Sequence, residues 1–203
     1  MDYSKVKVPF FNWKAINPKV DAFREKYCDS ILPLDIERVI EFKLDINIVP
    51  VPGLGKICSE ALITSDWLTL YVDKELYEDE RKQNRLRFSY AHEIGHLILH
   101  SNLYSSFGIK SFSDFYNFFN GIPQDQYSYL ETQANKFASL LLIPRNILKS
   151  KFDLEFVKLK DLPNIKTFDP GLLKSYLANP LSILFGVSSE AMEIALSELI
   201  REE

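Results

Sequence analysis

All 3 histidines of the chain fall in the stretch RFSYAHEIGHLILHS, Arg87 to Ser101. They stand at His92, His96 and His100, one every four residues. Four residues turn an α-helix by about 400° and advance it by about 6 Å, so His92 and His96 sit one above the other on nearly one face. The stretch holds no proline, and most of its other residues are apolar. A chain with this segment has to form a long helix, bury much of it, and bring two imidazoles to one point.

His92-Glu93-Ile94-Gly95-His96 is H-E-x-x-H on that helix. At ordinary composition the pattern arises by chance in well under roughly one chain in a hundred of this length. Two imidazoles so spaced can share one zinc ion at about 2.0–2.1 Å each. Glu93 is rotated about 100° from His92, beside the metal face but not placed to ligate. That is the position of a general base that draws a proton from a metal-activated water. His100 lies about 80° round from His92 and two turns on, so it could ligate only if the helix bent sharply. A structural role, or one in support of a ligand, is expected for it.

A catalytic zinc takes three protein ligands, and no histidine remains outside the segment. The third ligand is therefore a carboxylate, a thiolate or His100. Glu131 is the best candidate. It stands on an amphipathic helix, YLETQANKFASLLLIP, where Leu130, Ala134, Phe137, Ala138 and Leu141 follow core spacing. A carboxylate at the border of such a face needs a partner, and a metal is a good one. Cys58 is a weaker contender. Asn135, one turn beyond Glu131, could accept the free ring N–H of a bound histidine and so fix its tautomer.

Composition narrows the rest. Hydrophobic residues make up 46% of the chain and aromatics 13%, enough for a real core. The net charge of −4 gives no clustered cations for general phosphate binding. Cys28 and Cys58 form no CxxC pair and are expected as reduced thiols. The N-terminal MDYSKVKVPFFNWK has no apolar signal region, and no apolar run approaches the roughly 20 residues of a membrane span. A soluble, cytoplasmic protein with no membrane partner is expected.

Along the chain, residues 1–16 read as an irregular arm. Asn17-Pro18 is a helix start, with the helix running to about Cys28. Pro33 and Asp35 open a second helix striped by Ile36, Val39 and Ile40. The run INIVPVPG is β-rich, but its prolines confine it to a sheet edge. Ala61 to Thr64 and Trp67 to Val72 form a hairpin around Ser65-Asp66. One long helix is expected from about Asp79 to His100, and another from about Tyr127 to Ile143, stopped by Pro144. Between them, Ser101 to Asp125 is dense in aromatics. It is either a satellite core or a mobile lid beside the metal.

Together, RFSYAHEIGHLILH and the later ETQANKFASLLLIP resemble the ImmA/IrrE family of metallopeptidases, which pairs an HExGH helix with an E-x-x-A-N-x-F-A helix. LPLDIERVIEFKLDINIVPVPGL, the hairpin and YVDKEL are similar to the family's lead-in. LFGVSSEAMEIALSEL is similar to its C-terminal helical signature. The resemblance covers most of residues 17 to 200. It implies an α+β fold: a zincin-like metallopeptidase core over 17–150, with a small β-hairpin sheet and an active-site helix, and a helical C-terminal part, 151–203, packed on the core. It implies that His92, His96 and Glu131 bind Zn2+ and that Glu93 is the catalytic base. It further implies a protein substrate, a helix-turn-helix repressor whose cleavage relieves repression in a mobile element or stress response. Two departures stand out: the aromatic Ser101–Asp125 insertion, and Ala195 where the family tends to carry arginine.

Two other readings compete with a zinc endopeptidase. A metal-bound module could regulate a repressor by contact alone, but it would have no need of Glu93. The C-terminal LSILFGVSSEAMEIAL could be a DNA-binding helix-turn-helix, with Gly186 in the turn and Ser188 as N-cap. From Pro180 onward, however, the one basic residue is Arg201, against Glu190, Glu193, Glu198, Glu202 and Glu203. A recognition helix needs cations for phosphates, so no direct nucleic-acid contact is expected.

Overall fold

The computed structural model describes residues 2–57, 59–159 and 170–201. Ten α-helices and a three-stranded sheet are seen among them. Helix α1 spans Trp13–Tyr27, five residues ahead of the Asn17-Pro18 start that the sequence suggests. Asn12 is the true N-cap: its side chain accepts the Ala15 N–H. Pro18 lies inside the helix on an exposed face, where the loss of one backbone donor is tolerated. Ile16, Val20 and Phe23 form the buried stripe of α1. Helix α2, Ile36–Lys43, is capped by Asp35 and buries Ile36, Val39 and Ile40, as their spacing predicts.

Strand β1 (Asn47–Val51) is followed by a short α3 (Leu54–Ile57), then β2 (Ala61–Ile63) and β3 (Thr69–Asp73). The sheet order is β1-β3-β2, with β1 parallel and β2 antiparallel to β3. The proline-bearing strand is therefore at an edge, as expected. The β2–β3 connection is longer than the two-residue turn read at Ser65-Asp66, because pairing ends at Ile63↔Leu70. Thr64 and Asp66 side chains bridge the loop instead, with Thr64 Oγ1 donating to Asp66 Oδ1 at 2.6 Å.

The helix expected from Asp79 to His100 is divided and displaced. Helix α4 covers Lys74–Glu78, a 3-10 turn follows, and α5 runs Gln83–Phe107. Asp79 adopts an extended backbone and caps the 3-10 turn through the Arg81 N–H, which breaks the run. At its far end α5 continues past His100 until Gly108, in the left-handed region at φ 67°, closes it.

The aromatic segment is helical. Ser111 and Asp114 form a reciprocal capping box that starts α6, Phe112–Gly121. Phe115 and Phe118 are buried, and Phe118 packs on Phe107 with ring centroids 4.4 Å apart. Tyr3, from the N-terminal segment, meets Phe118 edge-on. These contacts are those of a satellite core.

Helix α7, Gln124–Leu142, crosses α5 in the most extensive helix pairing of the fold. Helices α8 (Arg145–Leu159), α9 (Pro170–Phe185) and α10 (Ser189–Arg201) complete the chain. Gly186 turns α9 into α10 at φ 63°, and Ser188 accepts the Ala191 N–H as an N-cap. Leu181, Phe185, Met192 and Leu196 are buried. Asn84 of α5 donates to the Val187 carbonyl at 3.0 Å, and Glu198 takes both Lys136 and Arg145. Among the described residues, no helix is long and apolar enough to cross a membrane.

Candidate metal centre

Gly95 decides how close the two central helices come. A Cβ built there would stand 3.0 Å from the Cα and carbonyl oxygen of Ala134. With Gly and Ala at the crossing, α5 and α7 approach almost backbone to backbone. His92 and His96, on either side of Gly95, thereby face Glu131 of α7.

The three side chains close a triangle. His92 Nε2 lies 3.0 Å from His96 Nε2. Glu131 Oε2 is 3.3 Å from His92 Nε2, and Glu131 Oε1 is 3.5 Å from His96 Nε2. Bonds of about 2.0–2.1 Å at a tetrahedral zinc place neighbouring ligand atoms about 3.3 Å apart. Two imidazoles and a carboxylate are also the donor types that zinc favours. The donor set and its spacing thus fit a zinc ion. The His96 side chain is 4% exposed and that of Glu131 31%, so the triangle opens to solvent on the α7 side.

Asn135 sits where the sequence placed it. Its Oδ1 is 2.8 Å from His92 Nδ1 and fixes that nitrogen as the protonated one. Burial works against a charge on His92, but contact with Glu131, the field of Glu93 and the Asn135 bond outweigh it and raise the pKa to about 9. His96 has no such relief. Burial, then the nearby His92 and His100, push it well below the usual imidazole range.

Glu93 is buried on the sheet side of the triangle. Its Oε2 accepts the Ile63 N–H of β2 at 2.9 Å. Burial raises its pKa to about 7; the charge of Glu131 adds to this, while His92 and the Ile63 bond oppose it. A carboxyl poised near neutrality can both take and return a proton. The sequence showed Glu93 but not its backbone partner, because only the tertiary fold brings β2 under α5.

Three tyrosines of α5 and α7 take different places around the site. Tyr104 is buried, stacks on the His96 ring at 5.3 Å between centroids, and donates to the Ile63 carbonyl at 3.1 Å. Tyr127 lines the cleft with Ala61, Leu62, Phe115 and Leu130. Tyr129 faces away, into an apolar cleft of about 770 Å³ also lined by Phe10, Trp13, Phe88 and Ile194, which shares Asn135 with the site. His100 lies beyond the triangle, against His96 and not against Glu131. Of the remaining candidate ligands, Cys58 lies outside the described residues.

A search of curated proteins returns no match to the chain. The family model of a peptidase family, described as the IrrE N-terminal-like domain, matches residues 74–197. The matched span starts at α4, so the lead-in strands lie outside it, while α5, α7, α9 and the larger part of α10 lie inside. A match over more than half the sequence, across both helices of the triangle, establishes descent: the chain belongs to the IrrE N-terminal-like family, which is a family of metallopeptidases.

Proposed function

We propose that the chain is a zinc-dependent endopeptidase whose substrate is a protein, a helix-turn-helix repressor removed to relieve repression. The observation that carries the chemistry is the cluster of His92, His96 and Glu131: the two Nε2 atoms are 3.0 Å apart, with Glu131 Oε2 3.3 Å from the first and Oε1 3.5 Å from the second. The repressor as substrate rests on the resemblance of both motifs to the ImmA/IrrE family, and the mildly acidic charge of −4 agrees with a protein rather than a nucleic-acid target.

His92, His96 and Glu131 would hold the ion. Bound there, zinc supplies Lewis-acid polarisation of a carbonyl and lowers the pKa of a water. Everything else falls to the chain. Ile63 ties up Glu93 Oε2, which leaves Oε1 free to take the proton of the attacking water. The same oxygen then returns that proton to the leaving amine. Asn135 keeps the proton of His92 on Nδ1, and Tyr104 holds the His96 ring plane by stacking.

The first test is metal content by elemental mass spectrometry on wild type and Glu131→Gln. About one zinc per wild-type chain, lost or much weakened in the variant, is expected. A folded wild type that takes no zinc when supplied with it overturns the reading. Glu93→Gln should keep its zinc and lose hydrolysis of a repressor. A variant that still inactivates the repressor would instead mark a module that works by contact.

A further inference from the structure

His100 is the one histidine that the proposed chemistry leaves unused. It is 2% exposed, on α5 one turn beyond His96. Its Nδ1 lies 3.3 Å from His96 Nδ1, while the side chain of Gln133 is near enough to interact with the ring. Gln133 backs the ring, but its amide serves the N-terminal segment: Oε1 accepts the Phe11 N–H and Nε2 donates to the Pro9 carbonyl, both at 3.1 Å. Burying two ring nitrogens costs desolvation, and a leucine or phenylalanine would fill the space without that cost. Packing alone does not account for a histidine here.

The contact between the two rings needs one proton. Suppose His100 Nδ1 carried it. Neutral His96 would then hold its own proton on Nε2, the atom facing His92 Nε2 and Glu131 Oε1. A nitrogen protonated there has no lone pair for a metal. The opposite assignment frees it. We infer that His100 is a positioning residue: its Nδ1 accepts the Nδ1–H of His96, so the His96 Nε2 lone pair faces the point shared with His92 and Glu131. This rests on the zinc reading above.

The arrangement has an internal parallel. His92 gives its Nδ1–H to Asn135, which α7 delivers from across the crossing. His96 lies one turn further along α5 and turns its Nδ1 along its own helix, toward position 100. His100 thus does for His96 what Asn135 does for His92. The proton of His100 is then left on Nε2, the ring nitrogen turned away from His96. Tyr104 fixes the plane of the His96 ring but spends its hydroxyl on Ile63, so it does not set the tautomer.

The experiment uses the full chain, labelled with nitrogen-15 histidine. With 3 histidines, each ring can be assigned in a long-range nitrogen–proton spectrum. In the zinc-loaded wild type, His92 and His96 should carry their protons on Nδ1 and His100 on Nε2. Zinc affinity is read in parallel by competition with a chromogenic chelator. His100→Phe, folded by circular dichroism, should bind zinc about 10- to 100-fold more weakly. His100→Asn, whose side-chain oxygen can accept the same N–H, should recover most of that loss. A His100 protonated on Nδ1, a Phe variant within about twofold of wild type, or an Asn variant as weak as the Phe one overturns the inference. If the Phe variant does not fold, the wild-type spectrum decides. A wild type that binds zinc while the Phe variant binds equally well defeats this inference alone. A wild type that binds none defeats the zinc reading and this with it.

Discussion

Glu93 and Glu131 share one cleft, and their surroundings differ. Glu131 keeps a solvent-exposed flank and reaches two imidazole nitrogens. Glu93 is 5% exposed, and burial draws its carboxyl up to about 7. On the proposed reading, the exposed carboxyl is the ligand and the buried one moves the proton. Burial acts in the same sense on Cys28, where it outweighs the nearby Arg24 and raises the thiol to about 11. The thiolate is the reactive form, so a rise of two units leaves on the order of 100-fold less of it. At pH 8, iodoacetamide should therefore label Cys28 about 100-fold more slowly in the folded protein than after unfolding, as read by peptide mass spectrometry. Because the folded pKa is the higher one, the stabilisation from burying the neutral thiol is complete below about 9 and is lost as pH rises toward 11. Rapid labelling of the folded protein at pH 8 would contradict this. At this scale the sequence was informative about side chains and silent about backbone. The four-residue spacing exposes His92 and His96, and the helical offset exposes Asn135. The Ile63 N–H that holds Glu93 belongs to a residue of no chemical distinction.

Helix pairing explains why Gly95 stands inside a buried helix at all. Alanine there would gain up to about 1 kcal/mol of helix propensity. It would also press a Cβ within 3.0 Å of the Ala134 backbone, which cannot yield as a flexible side chain can. Overpacking of this kind costs about 1–3 kcal/mol, so the balance is unfavourable. Gly95→Ala should destabilise the protein by about 1 kcal/mol in urea unfolding and weaken zinc binding, because α7 carries Glu131 away from α5. An unchanged zinc affinity would show that the crossing distance does not control the triangle. The elements themselves were unequally legible. Periodicity reveals α2 and α7, whose apolar stripes meet one core. It fails at Asp79, where a capping side chain breaks a polar run that contains no glycine or proline. It fails again at α6. There the Ser111–Asp114 box is present in the sequence, but the density of aromatics points to packing rather than to a helix start.

Across the whole molecule, the N-terminal segment joins parts that are far apart in sequence. Tyr3 donates to the Phe107 carbonyl at 2.8 Å, and the Val8 N–H donates to Gln126 at 2.8 Å. Val6 and Val8 are buried between these ties. The segment carries no periodicity because it pairs with no strand; it lies over α5, α6 and α7 and takes its order from their side chains. Its attachment was not legible in the sequence, nor were the 3-10 turn at Tyr3–Lys5 and the start of α1 at Trp13, both inside the stretch read as an irregular arm. The attachment can be weighed. Valine to alanine removes two methyl carbons, worth about 1.5 kcal/mol when buried. Val6→Ala together with Val8→Ala should then cost about 3 kcal/mol. In a chain of this size, each kcal/mol moves the melting temperature by about 2–4 °C. The double variant should melt about 6–12 °C below wild type by differential scanning calorimetry. It keeps the Val8 and Phe11 N–H groups, so Gln126 and Gln133 stay engaged and zinc stoichiometry should not change. An unshifted melting temperature would mean the segment is not held in place by these two residues. A lost zinc would mean that it supports the metal triangle more directly than its contacts with Gln126 and Gln133 require.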